Sequence, residues 1–408
     1  MRVLQINCVF RKGSTGKIVN DIHSTLESKG INSYVSYGRG IQIDEINIFK
    51  FCSEIEAKIQ GIYNRLGGLQ YGGNFLSTHR LISEIKNKKP DIIHLHCING
   101  YCVNIYTLLK FIAKSEIPTV ITHHAEFFYT GSCGYSLNCN QWKNQNGCMN
   151  CSLRRNALGT LWRDNSHNAW CKMKKAFSYF QTNKLIFVAV SPWVKERSQE
   201  SPILNSFPCE VVMNGIDTQI FYPYLNKDNI FDSVRKKDEK IVLHVTASFS
   251  TEIGTLKGGY HIIELAKMMP DVTFVVVASN VSISHPLPEN IYFWGKAKSQ
   301  VELAQMYSSA DLSLIVSKRE TFSMICAESL CCGTPIVGFK AGGPESIALP
   351  KYSEFVEYGN IQQLKYVIEN KLHQSYNKNQ IAEAAKLTYS ANVMVDNYIK
   401  VYNKILGN

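Results

Sequence analysis

Ser317-Lys-Arg-Glu320-Thr-Phe322-Ser323-Met324-Ile-Cys-Ala-Glu328 leads into Cys332-Gly-Thr-Pro-Ile-Val337 and then Gly342-Gly-Pro-Glu345. An apolar, β-type run from Leu312 to Val316 precedes the stretch and helix-favouring residues follow it. On one continuous helix, a spacing of eight would bring the two glutamates within about a quarter-turn of each other. The intervening Phe-Ser-Met turn argues for Glu320 in a strand-to-helix loop and Glu328 inside the helix. The amides of Phe322, Ser323 and Met324 then lie between two carboxylates. Amides at a helix N-terminus suit phosphate or hydroxyl oxygens. The pattern fits a polyhydroxylated, phosphate-bearing ligand, and a plain loop charge with a solvated helix charge is the alternative.

Outward from this stretch, short β-branched runs alternate with helix-like segments, the pattern of βα units and parallel sheets. In the first half the strand candidates are Val3–Asn7, Ser33–Tyr37, Asp91–Cys97, Pro118–His123 and Leu185–Val190. In the second half they are Ile241–Thr246, Thr273–Ala278, Ile291–Trp294, Leu312–Val316 and Pro335–Phe339. Several are continuously apolar, as strands covered on both faces should be. Asn226 to Lys240 is polar and reads as a surface loop, whereas Met394, Tyr398, Tyr402 and Leu406 fall at helical spacing. A chain of 408 residues is too long for one core, so two domains are expected. Its 45% apolar and 19% charged content excludes a disordered class, and no apolar run reaches the roughly 18 residues of a membrane span. The start, Met1-Arg-Val-Leu-Gln-Ile-Asn, reads as a buried strand and not as an export signal. A cytoplasmic location is expected, with the 13 cysteines reduced.

The glutamate spacing, with Ile291-Tyr-Phe-Trp-Gly295, Tyr307, Ala310-Asp311 and the Gly-Thr-Pro and Gly-Gly-Pro-Glu runs in order, resembles the retaining glycosyltransferases grouped as family 4. Asn214-Gly-Ile-Asp217 and Phe221-Tyr-Pro223 are similar to the segment where such chains cross between domains. The resemblance covers most of the chain, most strongly Val211 to Glu345. It extends to enzymes of exopolysaccharide, colanic-acid and lipopolysaccharide assembly. It implies a GT-B fold: two Rossmann-like α/β domains with a cleft between them and a last helix crossing back to the first. The expected divisions are 1–205 for the acceptor, 206–390 for the nucleotide sugar and 391–408 for that helix. The implied activity is retaining hexosyl transfer, with no cofactor required for the chemistry.

The resemblance also implies roles. Glu328 would accept from the ribose hydroxyls, since an ionised carboxylate offers only acceptors. Glu320 would face the donor sugar, with the Phe322, Ser323 and Met324 amides on sugar or phosphate and the base near Gly295. Lys257, followed by Gly258-Gly259, matches a lysine that neutralises the leaving diphosphate. The family's arginine is missing, with Ala247 or Ser248 in its place, and Arg319, Lys296 or Lys298 are the substitute cations. In the first half, Gly13-Ser14-Thr15-Gly16 follows the first strand and opens a helix; its amides suit a phosphate, or it only turns the chain. It lacks the spacing of a P-loop. His124 aligns with a family histidine that contacts sugar, with Ala125 where aspartate is usual; a buried core histidine is the other reading.

Cys133, Cys139, Cys148 and Cys151 form a cysteine-rich insertion at 130–155 whose spacing suits a structural zinc, buried free thiols or a disulfide. Charge is unevenly placed: residues 1–190 carry a net +12 and residues 191–408 a net −1. Arg154, Arg155, Arg163, Lys172, Lys174 and Lys175 alternate with Trp162, Trp170, Phe177, Tyr179 and Phe180. Basic residues among aromatics suit lipid headgroups or nucleic acid, or are solvated helix faces. With the family resemblance, the expected partners are a nucleotide-sugar donor, a lipid-linked glycan acceptor and the inner membrane leaflet, reached by a basic N-terminal domain, and no nucleic acid. The rivals are a nucleotide-sugar epimerase or sugar phosphorylase of the same fold, and a zinc-containing nucleic-acid-binding protein.

Overall fold

The computed structural model describes residues 1–68, 70–155, 158–224, 230–234, 239–284 and 286–407. They form two compact units, Met1–Met213 with Met394–Asn408, and Asn214–Val393. The Asn226–Lys240 loop lies partly outside the described residues (225–229 and 235–238); strand structure resumes at Lys240.

The first unit is built on seven parallel strands: β1 (Arg2–Val9), β2 (Asn32–Arg39), β3 (Ile48–Lys50), β4 (Ile92–Leu95), β5 (Thr119–His123), β6 (Leu185–Ala189) and β7 (Cys209–Val211). Their order is β3-β2-β1-β4-β5-β6-β7. Strands β4, β5 and β6 are buried along their whole length, which is why their sequences are apolar without alternation. Parallel neighbours need crossovers, and helices supply them. The helix Ala391–Leu406 closes this unit: Tyr398 Oη lies 3.0 Å from Thr122 Oγ1, and Tyr402 Oη lies 2.7 Å from His94 Nδ1. Its buried residues Met394, Val395, Tyr398, Val401, Tyr402 and Ile405 form the stripe legible as helical spacing.

The second unit has six strands: β8 (Lys240–Ser250), β9 (Val272–Ser282), β10 (Ile291–Gly295), β11 (Leu312–Ile315), β12 (Ile336–Phe339) and β13 (Ser353–Val356). Their order is β10-β9-β8-β11-β12-β13, all parallel. Val242, Phe274, Val276, Leu314 and Val337 on these strands pack with Ile262, Leu265, Leu364 and Ile368 of the covering helices. The ten strands expected from sequence are present, with β8 and β9 extended to Ser250 and Ser282. Strands β3, β7 and β13 were not anticipated; all are edge strands of three or four residues, too short to set a pattern.

In both sheets the winding reverses once, between β1 and β4 and between β8 and β11. In open α/β sheets such a reversal leaves a crevice at the carboxyl ends of the two central strands.

Candidate active site

At the β8/β11 reversal three loops are fastened together. Lys318 N–H donates to the Leu256 carbonyl at 2.8 Å, laying the loop after β8 on the loop after β11. Gly258 makes this approach possible: its φ is +65°, and a Cβ there would stand 2.2 Å from the Val316 carbonyl oxygen. The third loop follows β12. Glu320 N–H donates to Ala341 O at 3.0 Å, and Gly343 N–H donates to Glu320 O at 2.8 Å. A Cβ on Gly343 would lie 2.5 Å from Phe322 N. Glu345 accepts from the Ala341 and Gly342 amides at 3.0 and 2.8 Å. The Lys-Gly-Gly and Gly-Gly-Pro-Glu runs are thus the parts that hold Glu320 in place. Replacing Gly258 by alanine is expected to destabilise this unit by about 2–4 kcal/mol, from the positive φ and the collision together. A urea midpoint unchanged from wild type would show that the loop relaxes freely.

The result is an ion pair. Lys257 Nζ is 2.6 Å from Glu320 Oε1, with the side chains 32% and 15% exposed. Eight residues on, Glu328 lies in the helix Met324–Cys331, where its Oε2 accepts from Tyr307 Oη at 3.3 Å. Burial, reinforced by the Glu328 carboxylate, pushes the Tyr307 phenol well up, so it stays a donor. Ser323 caps the helix, its Oγ accepting from Cys326 N at 3.3 Å. It does so at φ +82°, a conformation costly for a residue other than glycine and typical of constrained sites. Phe322 is buried, Met324 and Arg319 are half-buried, and Gly295 ends β10 at φ +85° with Lys296 exposed beside it. Ala247 and Ser248, where an arginine was expected, are exposed on β8.

Sequence reasoning passed over His244, a buried residue inside β8. Its Nδ1 lies 3.0 Å from Leu314 O and its Nε2 has no hydrogen-bond partner. Burial, with a contribution from the Lys257 charge, holds its pKa at about 4. Nothing in Lys-Ile-Val-Leu-His-Val-Thr distinguishes such a histidine from a packing residue.

In the first unit, Gly13, Ser14, Thr15 and Gly16 already belong to the helix Gly13–Ser28, so the expected loop is a helical first turn. Arg11 N–H donates to Gly16 O at 3.0 Å, and Asn7 Nδ2 donates to Thr15 Oγ1 at 3.4 Å. His124 is buried at the end of β5, its Nε2 3.1 Å from His96 Nδ1. His96 stacks on His124 with ring centroids 5.4 Å apart and meets His94 at 3.9 Å, tilted by 36°.

The neighbouring Cys133 thiol draws Cys151 down to about 7, while burial pushes Cys148 up to about 12. All four cysteines of the insertion are unbridged. As their side chains stand, no three His, Cys, Asp or Glu among the described residues are arranged to hold a metal. The reading of the basic-aromatic cluster is revised. Trp170, Phe177 and Phe180 are buried, and Lys174 lies 5.0 Å from the Trp170 ring centroid. These aromatics are the core face of the helix Ser166–Phe177 and its continuation, not a surface motif. Trp162 alone of the tryptophans in that cluster is exposed.

Residues 44–220 match the model of Glycosyltransferase Family 4, and residues 226–388 match that of Glycosyl transferases group 1. The chain belongs to the two-domain glycosyltransferases. Similarity to D-inositol 3-phosphate glycosyltransferase of Mycobacteroides abscessus is 24% identity over 169 residues, 38% of this chain and 37% of that one. The match therefore spans little more than a third of that relative. Among solved glycosyltransferase-fold structures, sucrose-phosphate synthase of Thermosynechococcus elongatus superposes at a TM-score of 0.68, with 14% identity and 100% of both chains covered. HepE of Anabaena in complex with UDP gives 0.65, with 14% identity, 98% of this chain and 99% of that one. At such identities the likeness carries the GT-B fold of these glycosyltransferases and nothing finer. No helix among the described residues is long and apolar enough to cross a membrane.

Proposed function

We propose that this chain transfers a sugar from a nucleotide-sugar donor to a lipid-linked glycan acceptor, with retention, in surface polysaccharide assembly at the inner face of the cytoplasmic membrane. The observation that carries the reading is the Lys257–Glu320 pair at the strand reversal, with Glu328 on the helix that follows. Lys257 meets the charge that builds on the leaving diphosphate, and Glu320 accepts from the sugar hydroxyls, so one ion pair aligns both sides of the bond that breaks. Glu328 accepts from the ribose hydroxyls, and the base sits against backbone near Gly295. Arg319 and Lys296 or Lys298 are the candidates for the missing second cation. The first unit holds the acceptor, with the Gly13–Gly16 turn and His124 on its side. In the transfer step the bond from the anomeric carbon to the phosphate oxygen breaks as the acceptor oxygen bonds on the same face. The acceptor proton passes to the departing phosphate oxygen.

HepE, a solved relative in fold, binds UDP, which makes UDP-sugars the first donors to screen. Uridine, guanosine and adenosine diphosphate sugars should be tested for protection against thermal unfolding, then for transfer. One donor is expected to raise Tm by several degrees, and Glu328→Ala to weaken its binding about tenfold or more, the loss of hydrogen bonds to a charged acceptor. Full donor affinity in Glu328→Ala would remove the ribose role. An isomerised nucleotide sugar, or sugar 1-phosphate formed from glycan and phosphate, would replace transfer by epimerase or phosphorylase chemistry.

A further inference from the structure

The helix Glu54–Gly67 is turned inside out. It buries Ala57, Gln60 and Asn64, and Asn64 Nδ2 donates to Tyr101 Oη and Leu158 O, both at 3.0 Å. Its apolar residues Ile55, Ile59, Ile62, Tyr63 and Leu66 face outward, 49% to 72% exposed. They recur every three or four residues, so they form one continuous stripe. The next helix, Phe75–Lys88, opens with two more exposed apolar residues, Phe75 and Leu76. Between the two helices lies a groove of ≈ 560 Å³ lined by Ile59, Tyr63, Phe75 and Leu76 among others. Leu161 and Trp162, also exposed, are tied to the end of the stripe, because Leu161 N–H donates to Arg65 O at 3.0 Å. An apolar surface of this extent marks a contact site.

The charges around it narrow the partner. Lys58, Arg65 and Arg163 are exposed at the margin of the stripe. The acids of the same helix are paired: Glu54 with Arg39 at 2.9 Å, and Glu56, which lines the groove, with Arg80 at 3.5 Å and the Ser77 N–H at 2.9 Å, so neither leaves an unbalanced negative charge on this face. What faces outward is therefore apolar and cationic, with a tryptophan and a tyrosine of the kind that settle at a lipid headgroup boundary. A second copy of the chain on this face would set the same cations against each other, which is unfavourable. An anionic lipid surface complements both features.

We propose that this face docks the protein on an anionic bilayer, lying in the headgroup layer. The proposal rests on the reading of a lipid-linked acceptor and supplies the surface by which the enzyme reaches it. The test is sedimentation of the full chain with vesicles of phosphatidylcholine alone or mixed equally with phosphatidylglycerol. Wild type should bind the mixed vesicles about tenfold more tightly or better, and added salt should reduce this. Ile62→Glu with Leu66→Glu should lose binding by about tenfold or more, with Tm unchanged because both side chains are exposed. Lys58→Glu with Arg65→Glu should remove the preference for the anionic lipid. Equal vesicle binding by wild type and the Ile62/Leu66 variant would overturn the proposal, as would a dimer in light scattering that this variant dissolves. The nucleotide-induced Tm shift, measured in parallel, reports on the donor reading separately: docking lost with that shift intact concerns this face alone.

Discussion

Lys257→Ala is expected to lower turnover by about 10²–10³-fold, the usual consequence of removing one group that stabilises developing charge. Nζ stands 2.6 Å from Glu320 Oε1 in a half-buried setting, so its position is set before any donor arrives. Glu320→Gln should depress turnover as well, leaving Lys257 without its anchor and the donor sugar without a charged acceptor. The two losses should be strongly non-additive, since each side chain positions the other. Steady-state kinetics of the two single variants and the double variant, with one donor and one acceptor, check this. Fully additive effects would mean that the pair does not act as a unit. Rates within a factor of two of wild type for Lys257→Ala would return the lysine to an ordinary loop position.

Acid should unfold the first unit before the second. His94, His96, His123 and His124 are all buried, and burial holds every one below its ordinary pKa, His123 at about 3 and His124 at about 4. A histidine with a depressed folded pKa stays neutral in the native chain while the unfolded chain takes up a proton below about pH 6.5. Its contribution is therefore complete above that pH and is lost as pH falls toward the folded value, by about 1.4 kcal/mol per pH unit for each residue. The four losses act in the same direction, so the first unit should weaken steeply as pH falls below about 6.5. The second unit carries His244, a single group of this strongly shifted kind among its described residues, and should respond less steeply. His123→Phe is the sharpest check. The imidazole stacks on Phe187 at 4.8 Å and 8°, and neither ring nitrogen has a hydrogen-bond partner, so a phenyl ring keeps the packing and removes the titration. Its Tm should match or exceed wild type at pH 7.5, with a smaller loss between pH 6.5 and 5 than wild type shows. A variant as acid-sensitive as wild type would show that His123 is not among the groups responsible.

The alternation of apolar runs and helical stripes made the two parallel sheets legible, because strands buried on both faces leave no room for polar residues. The Gly-Gly-Pro-Glu and Lys-Gly-Gly runs were legible as motifs but not as mechanics. Only coordinates reveal that Gly258 and Gly343 admit backbone at 2.2 and 2.5 Å. One misreading has a physical cause. Trp170 and Phe177 lie on the buried face of a helix, yet between lysines they read as an interfacial cluster. Ile55, Ile59, Ile62 and Leu66 have the same spacing and face water. Periodicity reports that a stripe exists and is silent on which way it turns. The His244–Leu314 and His96–His124 contacts join strands distant in sequence, which no local pattern encodes.

The last helix gives the chain a particular birth order. Residues up to Met213 leave the ribosome lacking the phenols of Tyr398 and Tyr402, which cap His94 and Thr122. The middle segment, Asn214–Val393, is compact by itself and continuous in sequence, so it is expected to mature while the earlier one still lacks its closing helix. Removing the helix from Ala391 onward would strand the first unit without those phenols.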